Sequence, residues 1–286
     1  MRSPEWAMRS RALALAAAPV GVALAVGVVP VLVLFAESLV WAALADLSGV
    51  LEAYARVGKS VSLAVLGRSV LTGVLLTGAC LAVAYPVTYW LAHRCPPRQR
   101  VLLLVLLTLP LWLNYVVLNY VWVWILARGG LVNHLLGGVL PGLAPLRLLY
   151  TELSLTVGFV YIYLPYVILS LYVALELLVV ELLAAAADLG ASRARMVTDI
   201  IIPQTAAGAA AGALIVYARI AGAFATPEIL GGPQQQLIAQ LITDAFLEVL
   251  DLRFAAALAF SFLAVVAFVL LIGLTSRQLR REVRRW

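Results

Sequence analysis

The stretch Leu182–Pro203, LLAAAADLGASRARMVTDIIIP, sets small, charged and helix-breaking residues in an ordered pattern between two apolar runs of this 286-residue sequence. Ala184, Ala185, Ala186 and the residues up to Leu189 favour a helix. Gly190 then turns the chain, and Ser192 can cap a second short helix that begins at Arg193. That helix is expected to end near Asp199, with Ile200 to Pro203 leading into the next apolar run. Two short helices hinged at a glycine make a shape that lies in a partner's groove and passes on its movement. Small side chains at the hinge let the partner's backbone approach closely.

Other chemistry is sparse. Val57-Gly58-Lys59-Ser60 ends like a phosphate-binding loop, but the first glycine of that motif would fall at Ala53. His93 and His134 lie in different connections and build no metal-ligand set with the cysteines. Cys80 sits inside an apolar run and Cys95 beside an Arg/Pro cluster, so a structural disulfide is not expected. Asp244, Glu248 and Asp251 recur at i, i+4 and i+7, which places them on one face if that stretch is helical. They read as an attractor for cations, a docking face for a protein, or a solvated face. Few ionisable groups fall inside the apolar runs, notably Arg68 and Arg219. Arg219 is expected to snorkel or to pair with a nearby acid, with gating as the alternative. Catalysis by this chain alone is not expected, and uphill movement of a solute would take its energy from elsewhere.

The elements that must position these residues follow from composition. Apolar residues make up 64% of the chain and charged residues 12%, about half the share of a soluble domain. Mean hydropathy is +1.05. That leaves too little polar surface for a soluble enzyme. The net charge of +6 is distributed as short basic clusters between apolar runs, a membrane-topology pattern rather than a nucleic-acid-binding face. A helix needs about 20 apolar residues to cross a bilayer, and six stretches qualify: about 12–36, 62–93, 101–127, 153–177, 200–224 and 254–276. The first follows Arg2, Arg9 and Arg11 as a signal peptide would, but its apolar run of about 25 residues exceeds the 7–15 of a cleaved signal, so it reads as a permanent helix. Residues 129–146 are also uncharged, yet Gly129, Gly130, Gly137, Gly138, Pro141, Gly142 and Pro145 mark a loop with a short helix at most.

Orientation follows from the basic clusters. Arg2, Arg9 and Arg11, then Arg94, Arg98 and Arg100, then Arg193 and Arg195, then Arg277, Arg280, Arg281, Arg284 and Arg285 alternate so as to lie on one side. Both termini and the 182–203 segment are therefore expected in the cytoplasm.

The 182–203 segment resembles the coupling loop of binding-protein-dependent ABC importer permeases. That loop reads Glu-Ala-Ala, three residues, Gly, nine residues, Ile, any residue, Leu-Pro. Ala185 and Ala186 fill the alanine positions, Gly190 the glycine and Ile200 the isoleucine, and Ile202-Pro203 stands for Leu-Pro. The glutamate position is Ala184, a departure from the family, with Glu181 one turn earlier and Asp188 as substitutes. The resemblance runs from about Val61 to Leu274 and is most similar to the spermidine/putrescine permeases. It rests on Leu109-Pro110-Leu111-Trp112 with Tyr120 and Trp122, Gly129-Gly130-Leu131-Val132-Asn133, Tyr163-Leu164-Pro165-Tyr166, Leu171–Glu176, Leu230-Gly231-Gly232-Pro233 and Phe254–Leu258.

The resemblance implies an all-α integral membrane protein with six transmembrane helices and the type I importer permease (MetI-like) fold, forming one domain over residues 1–286. It implies a bacterial inner-membrane, multi-pass protein with a second homologous permease, two copies of a cytoplasmic ATPase and a periplasmic solute-binding protein as partners. Lipid surrounds it, and no nucleic acid is involved. The chain holds no cofactor and no metal; ATP and Mg belong to the ATPase. The coupling residues carried over are Glu181, Ala184, Ala185, Ala186, Asp188, Gly190, Ala191, Ser192, Ile200 and Pro203. The implied cargo is a small organic solute, a polyamine first, with opines or phosphonates as alternatives.

A polycation's path wants aromatic faces and few carboxylates. Trp112, Asn114, Tyr115, Asn119, Tyr120, Tyr161, Tyr163 and Tyr166 are the candidates, while Trp122 and Trp124 fit an interfacial belt. The two amides are expected to face the bundle interior, and Pro110 and Pro165 to kink their helices. A non-transporting scaffold or a lipid-modifying enzyme is the alternative class, but neither has a reason to keep the coupling-loop residues in register.

Overall fold

Uncharged runs of this length can satisfy their backbone in lipid only within helices. The computed structural model describes residues 21–22, 26–36, 47–140 and 144–275, and helix is the regular structure throughout those residues. In chain order the elements are α1 (Val26–Phe35), α2 (Leu47–Val57), α3 (Ser60–His93), α4 (Pro97–Trp112), α5 (Tyr115–Leu126) and α6 (Leu131–Val139). They continue with α7 (Glu152–Glu176), α8 (Val180–Asp188), α9 (Arg193–Met196), a π turn (Val197–Ile201) and α10 (Ile202–Ala221). After them come α11 (Ala225–Leu230), a 3-10 turn (Pro233–Gln235), α12 (Ile238–Thr243), a second π turn (Asp244–Glu248) and α13 (Leu252–Thr275).

Among the described residues, five segments are long and apolar enough to cross a membrane: Val61–His93, Tyr115–Val139, Glu152–Glu176, Arg193–Ala221 and Leu252–Leu271. Four of them match the expected spans 62–93, 153–177, 200–224 and 254–276. The expected span 12–36 lies mostly outside the described residues, where α1 is its described part.

The expected span 101–127 is corrected. It divides at Leu113 and Asn114, whose backbones are extended. Asn114 Oδ1 accepts from the Val116 amide at 2.8 Å, and so starts a new helix. Pro110, without an N–H, lies in the last turn of α4. At 16 residues α4 is about 24 Å long, short of a bilayer core. The apolar segment that follows runs from α5 through the turn at 127–130 into α6, the short helix expected in the glycine-rich stretch.

The chain packs as two compact units. One comprises the described residues up to Ser60 with Ile242–Phe262, and the other comprises Val61–Leu241 with the residues from Leu263 onward. In the first unit, Arg56 holds Asp251 at 2.6 Å and lies 4.2 Å from the centre of the Phe254 ring. In the second unit, α7 is the central element. Leu155, Phe159, Val167, Ile168, Leu171 and Leu175 are all buried to 2% exposure or less. A capping box between Thr151 and Ser154 starts α7, and Ser154 Oγ donates to the Leu230 carbonyl at 2.8 Å, which fixes the end of α11 on it.

Candidate functional site

The 182–203 segment folds as two helices joined at Gly190, whose φ of +78° favours glycine. The end of α8 is closed by Ala191 N–H to the Ala186 carbonyl and Gly190 N–H to the Ala187 carbonyl, both at 2.9 Å, the paired bonds of a Schellman cap. Ser192 Oγ accepts from the Arg195 amide at 3.3 Å and starts α9. The expected end of that helix near Asp199 is corrected: α9 passes through the π turn directly into α10, and Pro203 falls in the first turn of α10. One continuous helical rod therefore connects the Gly190 turn to the apolar segment.

Glu181, Ala184, Ala185, Asp188, Gly190 and Ser192 are exposed, whereas Ala186, Ala191, Ile200 and Pro203 are half-buried. Glu181 in the first turn of α8 suits the positive end of the helix dipole, and it shares the exposed stripe with Ala184 and Asp188. Leu189 at the tip is 89% exposed, an apolar knob at a polar boundary. Beneath the segment, Ala92, Leu175, Leu178 and Ile201 form a small core with Tyr89, Tyr172 and Leu183 against it. Arg100 reaches Glu176 at 3.4 Å, and the Tyr172 hydroxyl also donates to Glu176. These contacts tie the start of α4 to the end of α7, next to the 182–203 segment.

The aromatic candidates divide by face. Tyr115, Tyr163 and Tyr166 line one cleft of about 530 Å³ together with Arg219, and the Tyr163 ring lies 6.2 Å from that of Tyr166 and 6.0 Å from that of the fully buried Phe159 behind it. Arg219, expected to snorkel or to pair with an acid, lies 5.0 Å over the Tyr166 ring in a cation–π contact. Trp112 is 84% exposed, Tyr120 is exposed, and the interior placement expected of Asn114 is corrected: it is exposed and caps α5. Tyr161 packs edge-on with Trp122 at 5.4 Å. Asn119 is fully buried as expected, but it bonds the Tyr115 carbonyl and Thr226.

The one-face reading of Asp244, Glu248 and Asp251 is corrected. Asp244–Glu248 is a π turn, and Leu250 has φ +56°, so helical phase is lost before Asp251. Asp251 accepts from the Phe254 amide at 3.0 Å and from Arg56. Its partial burial pushes the carboxyl pKa up. The Phe254 amide and the Arg56 hydrogen bond and charge, with Arg253, outweigh that and hold it below the ordinary value.

Sequence reasoning passed over Gly208 and Gly212. A Cβ on Gly208 would lie 2.5 Å from that of Ala174 and 2.8 Å from the Ser170 carbonyl, and Ser170 Oγ donates to the Gly208 carbonyl at 2.7 Å. The Gly-x-x-x-Gly spacing inside an apolar span was the available signal.

The family model for binding-protein-dependent transport system inner membrane components matches residues 84–285. The spermidine/putrescine transport system permease protein PotB of Salmonella typhimurium (strain SL1344) is 36% identical over 236 residues, covering 82% of this chain and 81% of the relative. PotB of Escherichia coli (strain K12) is 35% identical, covering 82% and 85%. Among solved structures, a bacterial alginate ABC transporter in complex with an alginate pentasaccharide-bound periplasmic protein aligns with TM-score 0.73 at 16% identity, covering 98% of this chain and 99% of the other.

Proposed function

The chain belongs to the family of binding-protein-dependent transport system inner membrane components, the permease subunits of ABC importers, and we propose that its cargo is a polyamine of the spermidine/putrescine class. The observation that carries the cargo is the similarity to PotB, 36% identical over 82% of this chain. In the cleft the Tyr115 and Tyr163 rings offer faces to an ammonium chain, while Arg219 already occupies the Tyr166 face.

In this reading residues 1–286 act as one permease domain. The 182–203 segment docks on a cytoplasmic ATPase, present in two copies, that binds ATP and Mg. A second permease subunit completes the path, and a periplasmic solute-binding protein delivers cargo. Both termini face the cytoplasm. Glu181 and Asp188 supply the carboxylates that Ala184 lacks, and the exposed Leu189 enters the ATPase groove.

Co-expression with the ATPase, second permease and binding protein in a strain without polyamine uptake tests the reading. Labelled spermidine should accumulate with ATP hydrolysis and stop when the ATPase is inactivated. Uptake of an opine or phosphonate instead, with no polyamine uptake, would overturn the cargo.

A further inference from the structure

Twenty residues of α10 carry the chain about 30 Å away from the coupling segment. At that far end, Tyr150, Glu228, Gln236 and Gln240 line an open cleft of about 610 Å³. None of these four belongs to the aromatic cleft at Tyr166.

The amide of Gln240 is fixed in orientation. Its Oε1 accepts from the buried Leu237 amide at 3.0 Å, so its Nε2 points to Glu228 and donates to Oε2 at 2.6 Å. Gln240 is 9% exposed, whereas Glu228 is open to the cleft. The carboxylate is thus held from beneath with an oxygen facing outward. Among the described residues it has no cationic partner.

Tyr150 lines the same cleft at 57% exposure, with a left-handed φ of +62°. That conformation costs a non-glycine residue about 1–2 kcal/mol. It is kept where surrounding packing imposes it, as it often does at binding sites. A Cβ on Gly232 would lie 2.8 Å from the Tyr150 carbonyl, so the absence of a side chain there lets the Tyr150 turn come close to Gly232 at this cleft.

We propose that Glu228 and Tyr150 form an entry site for the terminal ammonium of an aliphatic amine, with Gln240 as a positioning residue for the carboxylate. The proposal deepens the polyamine reading and rests on it for the identity of the cargo. A carboxylate takes the ammonium as a charge-assisted hydrogen-bond pair, and the Tyr150 ring supplies a face for the cation or its methylenes. One carboxylate on an open cleft binds weakly enough to release the cargo onward.

The test uses the assembled complex in nanodiscs, without the binding protein, titrated calorimetrically with spermidine. Glu228→Gln should weaken binding about tenfold, the loss of one charged hydrogen bond, while Glu228→Asp retains part of it. Gln240→Leu removes the donor that orients the carboxylate and should weaken binding less than Glu228→Gln does, with no further loss when the two are combined, because Gln240 acts only through Glu228. An unchanged affinity in Glu228→Gln overturns the site, as does absence of spermidine binding to the wild type. It is also overturned if that variant weakens only the association of cargo-free binding protein, because Glu228 is then a docking residue. Glu228-dependent amine binding in a complex that transports no polyamine would sink the cargo reading and leave the site standing. Transport without Glu228-dependent binding would do the reverse.

Discussion

The side-chain amide of Asn119 donates to the Thr226 hydroxyl at 3.1 Å, joining two fully buried residues that lie 107 positions apart. The bond fastens α5 to α11 at the rim of the aromatic cleft. It gives Asn119 a structural task. Asn119→Leu and Thr226→Val should each lower the melting temperature of the purified complex, with a non-additive double variant. Interhelical bonds of this kind contribute about 0.6 kcal/mol on average in membranes. The KM for solute should stay near the wild-type value, and a large KM change with unchanged melting would return Asn119 to the path.

The α7–α10 crossing depends on the absence of side chains at Gly208 and Gly212, against Ser170, Ala174 and Val167. Gly208→Val should overpack this contact at a cost of about 1–3 kcal/mol. Because α10 is continuous with the 182–203 segment proposed to dock on the ATPase, the variant should lose ATPase coupling along with thermal stability. Wild-type melting and uptake would show that the two helices have room to separate.

The long uncharged runs were legible as α3, α7, α10 and α13 because a charge inside lipid is expensive whatever the neighbours do. The hinge was legible too, since a glycine after an alanine helix and a serine two residues on encode both caps. The break at Leu113 was not, because hydropathy registers side chains and the break is made by a backbone, with Pro110 and the Asn114 cap as its local signals. Counting i, i+4 and i+7 assumed an unbroken helix through Leu250, and its left-handed φ destroys that phase. The grouping of Tyr115 with Tyr163 and Tyr166, and apart from Tyr161, depends on where α5 begins, which the span count had placed 14 residues too early, at 101 instead of 115.

Gly190 has open space around a would-be Cβ, so its requirement is conformational. A non-glycine residue at φ +78° costs about 1–2 kcal/mol, and Asn tolerates it better than Val. Gly190→Asn should retain most solute-stimulated ATPase activity, whereas Gly190→Val should insert normally and lose uptake. Equal uptake by the wild type and Gly190→Val would mean that the hinge does not transmit movement.

Orientation is checked by fusion. A reporter active only in the periplasm should work after Val139 and fail after Arg285. High activity at the C-terminal fusion would overturn a cytoplasmic C-terminus.

The Arg56–Asp251 pair gives a pH dependence with a definite sign. The Asp251 carboxyl titrates below its ordinary value, so its folded pKa lies under the unfolded value of about 3.9. The stability it contributes is then fully present above the unfolded value and is lost as pH falls through the folded one. Both side chains are partly exposed, at 36% and 27%, so salt screens the pair and its contribution is small. The melting temperature of Asp251→Asn should lie below that of the wild type by a constant margin from pH 8 to about 5. The margin should shrink below about pH 4, as the wild-type carboxyl itself becomes neutral, and shrink at neutral pH when salt is raised. A margin that widens on acidification would mean that Asp251 is destabilised in the fold, and that the Phe254 amide and Arg56 do not hold its charge.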